Sequence, residues 1–154
     1  MQGNDRPHLG EESLDDLTSE RLERTPLARG RRQQRAQLRA ADMLSAREAA
    51  TVSGIPARTL RRMRSGGQLL ALSARSVMPG VRYPAWQFEP AVMQVLPNIL
   101  MAFGKNRMWA ARDFLTYSEP LLTGRVPLEE IRADRAADVL RILRAAADLG
   151  HGAY

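Results

Sequence analysis

From Met43 to Gly67 the chain reads MLSAREAATVSGIPARTLRRMRSGG, with apolar positions spaced for two short helices and a break between them. Ser45 followed three residues later by Glu48 is a capping box, so a first helix starts there. Ala49, Ala50 and Val52 form its small apolar face. Gly54 stands where a helix end needs a left-handed residue. Ile55 is expected to be buried in the turn, and Pro56 falls at or near the first turn of a second helix, where a missing N–H costs nothing. That second helix covers about Ala57 to Ser65, with Leu60 and Met63 inward and Arg58, Thr59, Arg61, Arg62 and Arg64 around the rest. Gly66-Gly67 ends it. A small-residue helix, a glycine turn and an arginine-bearing helix make a helix-turn-helix. The competing reading is a plain helical hairpin whose arginines only solvate a face.

Upstream, the apolar pattern is thin. Residues 1–26 are polar and acidic, broken by Gly3, Pro7, Gly10 and Pro26, and are expected to be disordered. From Leu27 to Met43 a surface helix is expected, with a narrow stripe of Ala36, Leu38, Ala41 and Leu44. Its Arg31, Arg32, Arg35 and Arg39 either follow a nucleic-acid backbone or form a solvated basic face. Downstream, Leu69, Leu70 and Leu72 lead towards Met78-Pro79-Gly80, a turn signal, and Val81 to Pro84 returns. Two short strands result, a wing that would carry Arg75 and Arg82. So small a hairpin must lean on the helices. Tyr83, Trp86 and Phe88 are expected to glue it there as core.

The remainder is helical. Pro90 opens a stretch with Val92, Val95, Leu96, Ile99, Leu100 and Phe103 apolar, and Pro97 is expected to break it. Met108, Trp109, Ala111, Phe114 and Leu115 form the stripe of a helix over Asn106 to Thr116. A loop holds Leu121-Leu122-Thr123-Gly124-Arg125, and Pro127 opens a short helix through Ile131. The last helix is expected from about Asp134 to Leu149, buried on Val139, Leu140, Leu143 and Ala147, with Gly150 ending it. The pattern thus predicts a mainly α protein. A winged helix-turn-helix with a short β-hairpin (27–89) precedes a small helical domain (90–154).

Charge sharpens the picture. Residues 31–86 hold eleven basic residues, all arginine, against two acids, while residues 1–30 carry four against seven and residues 87–154, with Lys105 among their basic residues, are balanced at eight against eight. The whole positive excess behind the net charge of +6 therefore surrounds the helix-turn-helix. A basic field confined to one module is the footprint of phosphate contact. An apolar content of 44% supports a core, and with 5% aromatics that core is mostly aliphatic. There is no cysteine, so disulfides and thiolate metal sites are excluded. No apolar run approaches the roughly 20 residues of a membrane span, and the N-terminus lacks a signal pattern. A cytoplasmic protein is expected.

Two stretches resemble known families. Gly80 to Phe88, GVRYPAWQF, is similar to the Gly-x-x-Tyr/Phe-Pro-x-Trp-Gln-Phe run of small bacterial winged proteins that follows an excisionase- or MerR-like helix-turn-helix. Tyr83, Pro84, Trp86, Gln87 and Phe88 carry the match. The run WAARDFLTYSEPLLTGRVPLEEIR with the following helix resembles the C-terminal toxin-binding domain of Xre/MbcA/ParS-like antitoxins. Trp109, Phe114, Leu115, Pro120, Leu122, Gly124, Pro127 and Leu128 carry that one, over about residues 97–150. The chain departs from it at Val126, where a capping Thr or Ser is usual. The resemblance implies an antitoxin of a type II toxin–antitoxin pair. Such a protein blocks the active site of a NAD-consuming RES-domain toxin and represses its own promoter.

Chemistry by the chain itself is not expected. Its two histidines, His8 and His151, lie near the termini, and Asp15-Asp16 and Glu129-Glu130 are expected on solvated faces. No phosphate-cradling glycine loop is present, and no cofactor is expected. The binding residues expected are Arg58, Thr59, Arg61, Arg62, Arg64, Arg75 and Arg82 for duplex DNA. Those expected for the toxin are Trp109, Leu121, Leu122, Gly124, Arg125, His151 and Tyr154, although core packing is the preferred role for Trp109. A homodimer with its seam on the C-terminal helices is expected, because operators are commonly read by two-fold assemblies. The alternatives are a stand-alone winged regulator or excisionase-like factor, and a structural adaptor without DNA contact.

Overall fold

A three-stranded antiparallel sheet in the order β1-β3-β2 divides the apolar interior into two clusters. The computed structural model describes residues 26–74 and 78–151. In chain order these form α1 (Pro26–Leu38), β1 (Met43–Leu44), α2 (Ala46–Ser53), α3 (Ala57–Ser65), β2 (Leu72–Ala74) and β3 (Met78–Pro84). Then come α4 (Pro90–Phe103), α5 (Met108–Thr116), α6 (Pro127–Arg132) and α7 (Ala136–His151), with short 3-10 turns at Ala85–Phe88, Lys105–Arg107 and Pro120–Leu122. The fold is mainly helical. Among the described residues no helix is long and apolar enough to cross a membrane. The expected disorder of residues 1–26 concerns a segment outside the described residues, apart from Pro26, which opens α1.

Strand alternation explains the two clusters. Leu44 pairs with Tyr83, and both join Ala49, Leu60 and Leu69 in the smaller cluster beneath α2 and α3. Met43, one residue earlier, packs against the larger cluster, as do Leu72 and Ala74 of β2. Successive side chains leave a strand on opposite faces, so a two-residue strand is enough to serve both cores. The larger cluster takes Leu38, Leu70, Leu72 and Ala74 from before residue 90 and Val92, Leu96, Ile99, Leu115, Ile131 and Val139 from after it. One continuous core therefore crosses the 89/90 boundary expected between domains.

Gln87 stands at the junction. Its side chain is fully buried, accepts a hydrogen bond from Leu70 N–H at 2.8 Å and donates one to Leu70 C=O at 2.8 Å. The amide thus takes the place of a neighbouring strand beside Leu70. Leu69 belongs to the smaller cluster and Leu70 to the larger. The clamp fixes the backbone where the two cores meet.

Four expectations are corrected. The first helix stops at Leu38 instead of reaching Met43, because Met43 and Leu44 pair with β3. Long-range strand pairing outweighs local helix propensity there, and Ala36 and Ala41 are exposed. Pro79-Gly80 does not turn the chain. Both lie inside β3, in an irregular stretch between the pairs Leu72–Arg82 and Ala74–Met78, where Gly80 has φ +88° and Pro79 needs no ladder N–H. Pro97 does not break α4. An interior proline costs roughly 3 kcal/mol, whereas Val92, Leu96, Ile99 and Leu100, buried on both sides of it, each contribute about 1.5–3 kcal/mol. Finally, α7 begins at Ala136, after Asp134 at φ +64°, and continues past Gly150 to His151. Its buried face is Val139 and Ile142, Leu140 and Leu143 are half-buried, and Ala147 is exposed.

Replacing Gln87 by Leu keeps the volume but strands the Leu70 N–H and C=O in a dry interior. Stability should fall by about 2–5 kcal/mol, since each unpaired buried group costs about 1–3 kcal/mol. A urea titration reads this as a lower midpoint at unchanged slope, and an unaltered midpoint would refute the role of the clamp.

Candidate functional site

The helix pair α2–α3 is mounted as its sequence demands, except that Val52, expected on the apolar face, is exposed because that face turns only Ala49 and Ala50 inward. Ser45 Oγ accepts from Glu48 N–H at 3.2 Å and Glu48 Oε1 accepts from Ser45 N–H at 3.1 Å, which closes the capping box. The Glu48 carboxyl sits below its ordinary value of 4.5, mainly through those hydrogen bonds with Ser45, and nearby Arg82 adds to the lowering. Gly54 takes φ +72° and donates its N–H to Ala50 C=O. Ile55 is half-buried in the turn, its N–H bonded to Ser53 Oγ at 3.0 Å. Ala49 and Leu60 are fully buried between the two helices.

This packing decides where the arginines of α3 point. With Leu60 buried and Met63 half-buried on one side, Arg58, Arg61 and Arg62 share the solvent face, and Thr59 and Arg64 flank it half-buried. No acidic residue occurs between Glu48 and Glu89. Among the described residues none of Arg58, Arg61, Arg62 or Arg64 makes an ion pair. Arg82 lies half-buried on β3 and donates to Val81 C=O at 3.2 Å. Arg75 falls outside the described residues. Arg31 and Arg35 on α1, and Arg39 just after it, are exposed.

The residues expected to meet a protein partner do not form one surface. Leu122 is buried in the larger core, whereas Leu121 is 68% exposed. Thr123 at φ +60° and Gly124 at φ +80° reverse the chain between them and Arg125. Trp109 is half-buried, and its indole N–H donates to Ser73 C=O at 3.1 Å, tying α5 to β2. The Arg125 guanidinium is occupied within its own chain. Nε donates to Leu122 C=O at 3.0 Å and Nη1 lies 3.6 Å from Glu130 Oε2. The side chain of His151 and all of Tyr154 lie outside the description.

No family model, curated protein or solved structure matches the chain. The site's chemistry therefore rests on its own geometry. Two grooves flank α7, the larger of them beside Leu121. One of about 350 Å³ is walled by Met101, Leu140, Leu143 and Ala147, and one of about 640 Å³ by Phe103, Phe114, Leu121 and Leu143. Met101 is 80% exposed. Among the described residues no cluster of His, Asp and Glu could hold a metal ion.

Glu129 and Glu130 part company. Glu129 is exposed and pairs with Arg132 at 2.7 Å, as a solvated face requires. Glu130 is buried, contrary to expectation, with Arg135 Nε at 2.6 Å and Nη2 at 3.0 Å on its two oxygens. The signal was arginine five residues to either side, at positions 125 and 135, a spacing that no helix face would pair. It became legible only once the loops on both sides of α6 folded back.

Hydrogen bonds from Arg135 hold the Glu130 carboxyl below its ordinary value of 4.5; burial opposes this, and the charges of Arg125 and Arg135 add to the lowering. With the folded value depressed, the pairing stabilises the protein fully above about pH 4.5 and is lost as pH falls through the folded value. Thermal midpoints across a pH series should therefore decline on the acid side in the native protein. The Glu130→Gln variant should start several degrees lower at neutral pH and decline less steeply. Parallel curves would remove Glu130 as the titrating group.

Proposed function

We propose that α2, α3 and the β2–β3 hairpin work as a winged helix-turn-helix that binds duplex DNA in the cytoplasm. The observation that supports this most is the exposed face of α3. Three guanidiniums stand there, opposite the buried Leu60, within a stretch free of acid from Glu48 to Glu89. A helix about 10–12 Å across with its side chains fits a major groove about 12 Å wide, and α3 runs for nine residues. Arg58 and Thr59, in its first turn, are placed as base-reading residues are in this motif, and Arg61, Arg62 and Arg64 take the flanking phosphates. Arg82 reaches the adjoining backbone from the wing. Operator reading of this kind calls for a homodimer, with its proposed seam on the C-terminal helices.

The Arg58→Ala/Arg62→Ala double variant changes only exposed side chains, so it should fold as the parent does. Its affinity for the upstream region of its own gene should fall at least about tenfold, and the parent complex should weaken steeply with salt. Fluorescence anisotropy at several salt concentrations tests this. Binding that is absent, or insensitive to salt, overturns the reading.

For the helical half we propose a protein partner. The resemblance to Xre/MbcA/ParS-like antitoxins favours a NAD-consuming RES-domain toxin, neutralised by occlusion, with the DNA-binding half acting as autorepressor. Exposed Leu121 and Met101 beside the grooves support a protein-binding face, since apolar side chains at the centre of a patch drive association. Leu122, Trp109 and Arg125 hold the face in shape from within. A piece beginning near residue 97 would lack Leu38, Leu70, Leu72, Ala74 and Val92 of its own core, so the test needs the full chain. Coexpressed with an adjacent toxin gene, the native chain should rescue growth and Leu121→Glu should not, while DNA binding persists. Rescue undiminished by Leu121→Glu, or no rescue at all, favours the stand-alone regulator.

A further inference from the structure

Beyond the arginine face of α3, a second basic element reaches the same region from the helical half. A cleft of about 260 Å³ opens between the end of α3, the hairpin and the turn joining α4 to α5. Arg64 and Ser65 line it on the α3 side and Lys105 on the opposite side, with Leu69, Val81 and Met108 as apolar wall. Neither Arg64 nor Lys105 makes an ion pair among the described residues, and no carboxylate lines the cleft.

The backbone holds the two cations where they are. Gly104 at φ +85° lets the chain reverse directly after α4, and Arg107 N–H closes the turn on Gly104 C=O at 3.1 Å. The Trp109 indole then pins the start of α5 to Ser73 of β2. On the other wall, the carbonyls of Arg62, Met63 and Arg64 near the end of α3 are already satisfied. Gly66 N–H bonds Arg62 C=O, Gln68 N–H bonds Met63 C=O and Gly67 N–H bonds Arg64 C=O. The Arg64 guanidinium is not needed to cap its own helix, and its charge is left for a ligand. Two cations across a gap with an apolar wall match a sugar–phosphate unit, whose anionic oxygens take the charges while the deoxyribose lies on hydrocarbon.

We propose that Lys105, from the helical half, and Arg64, from α3, together clamp one phosphodiester of the duplex that α3 reads. This rests on the duplex-binding reading above. It adds that the helical half takes part in DNA contact, although its overall charge balance gives no hint of that. The clamp is indifferent to base sequence, so a labelled mixed-sequence duplex is a sufficient probe.

The experiment measures the salt dependence of binding for the full chain and for Lys105→Ala, Lys105→Arg and Arg141→Ala. Arg141 is exposed on α7, where it pairs with Asp138, and its loss changes net charge as much as the loss of Lys105 does. Lys105→Ala should weaken binding about fivefold and lower the slope of log affinity against log salt by about 1. Lys105→Arg should restore both, and Arg141→Ala should leave the slope alone. If the native chain binds with a steep slope that Lys105→Ala does not change, or that Arg141→Ala lowers equally, the clamp is wrong and the duplex reading survives. If the native chain shows no salt-dependent binding, both fall. A Lys105-dependent interaction with inorganic phosphate, but none with the duplex, would make the cleft a small-anion site and overturn the assignment.

Discussion

The arrangement depends on one amide. Gln87 holds both polar groups of Leu70 at the point where the chain passes from one apolar cluster to the other. A backbone crossing between two dry interiors cannot use water, and no strand runs beside it. Its N–H and C=O would otherwise remain unpaired at considerable cost. A side-chain amide, with an N–H to donate and a C=O to accept in one plane, meets that need. The fixed crossing leads into β2, which pairs with β3, and β3 with β1 sets the floor on which α2 and α3 rest.

Other ties hold the helical half together. Arg132 of α6 grips Glu89, at the entry to α4, with Nε at 3.0 Å and Nη2 at 2.8 Å on the two carboxylate oxygens, and it also holds Glu129. This bidentate pair is partly solvated, so it orients more than it stabilises. Arg125, Glu130 and Arg135 play the corresponding part on the other side of α6, with the difference that the carboxylate is buried. Breaking that group from one side would leave a charge without its counterion in the interior. The loop with Thr123 and Gly124 therefore owes its shape to α6 and the start of α7 as much as to its own glycine.

Local signals were legible in the sequence wherever a short-range rule governs. The Ser45–Glu48 capping box, the left-handed Gly54, the inward Leu60 and the glycine end of α3 follow from spacing alone, and the structure has them. So does the opening of α6 at Pro127, which proceeds without a side-chain cap at Val126. What could not be read depends on distant partners. Met43 and Leu44 look helical until β3 is placed beside them, Pro97 looks like a break until the core on both sides is counted, and Pro79-Gly80 looks like a turn until the register of β2 is known. In the candidate site, the arginines of α3 were legible because a helix face is a local property. The burial of Leu122 and Glu130, and the position of Lys105 across from Arg64, were not, since each arises from chain reversals brought together by the fold.

The two-sided sheet has a further consequence. Because β1 lends one side chain to each core, Met43 to the larger and Leu44 to the smaller, the mount of α3 and the packing of α4 to α7 share a wall. Under the proposed function, a ligand of the helical half that favoured one position of that wall would shift the affinity of α3 for duplex DNA, and the effect would run both ways with the same factor. Two binding surfaces built on separate cores would carry no such obligation. Here reciprocity is a property of the architecture, set by a strand two residues long.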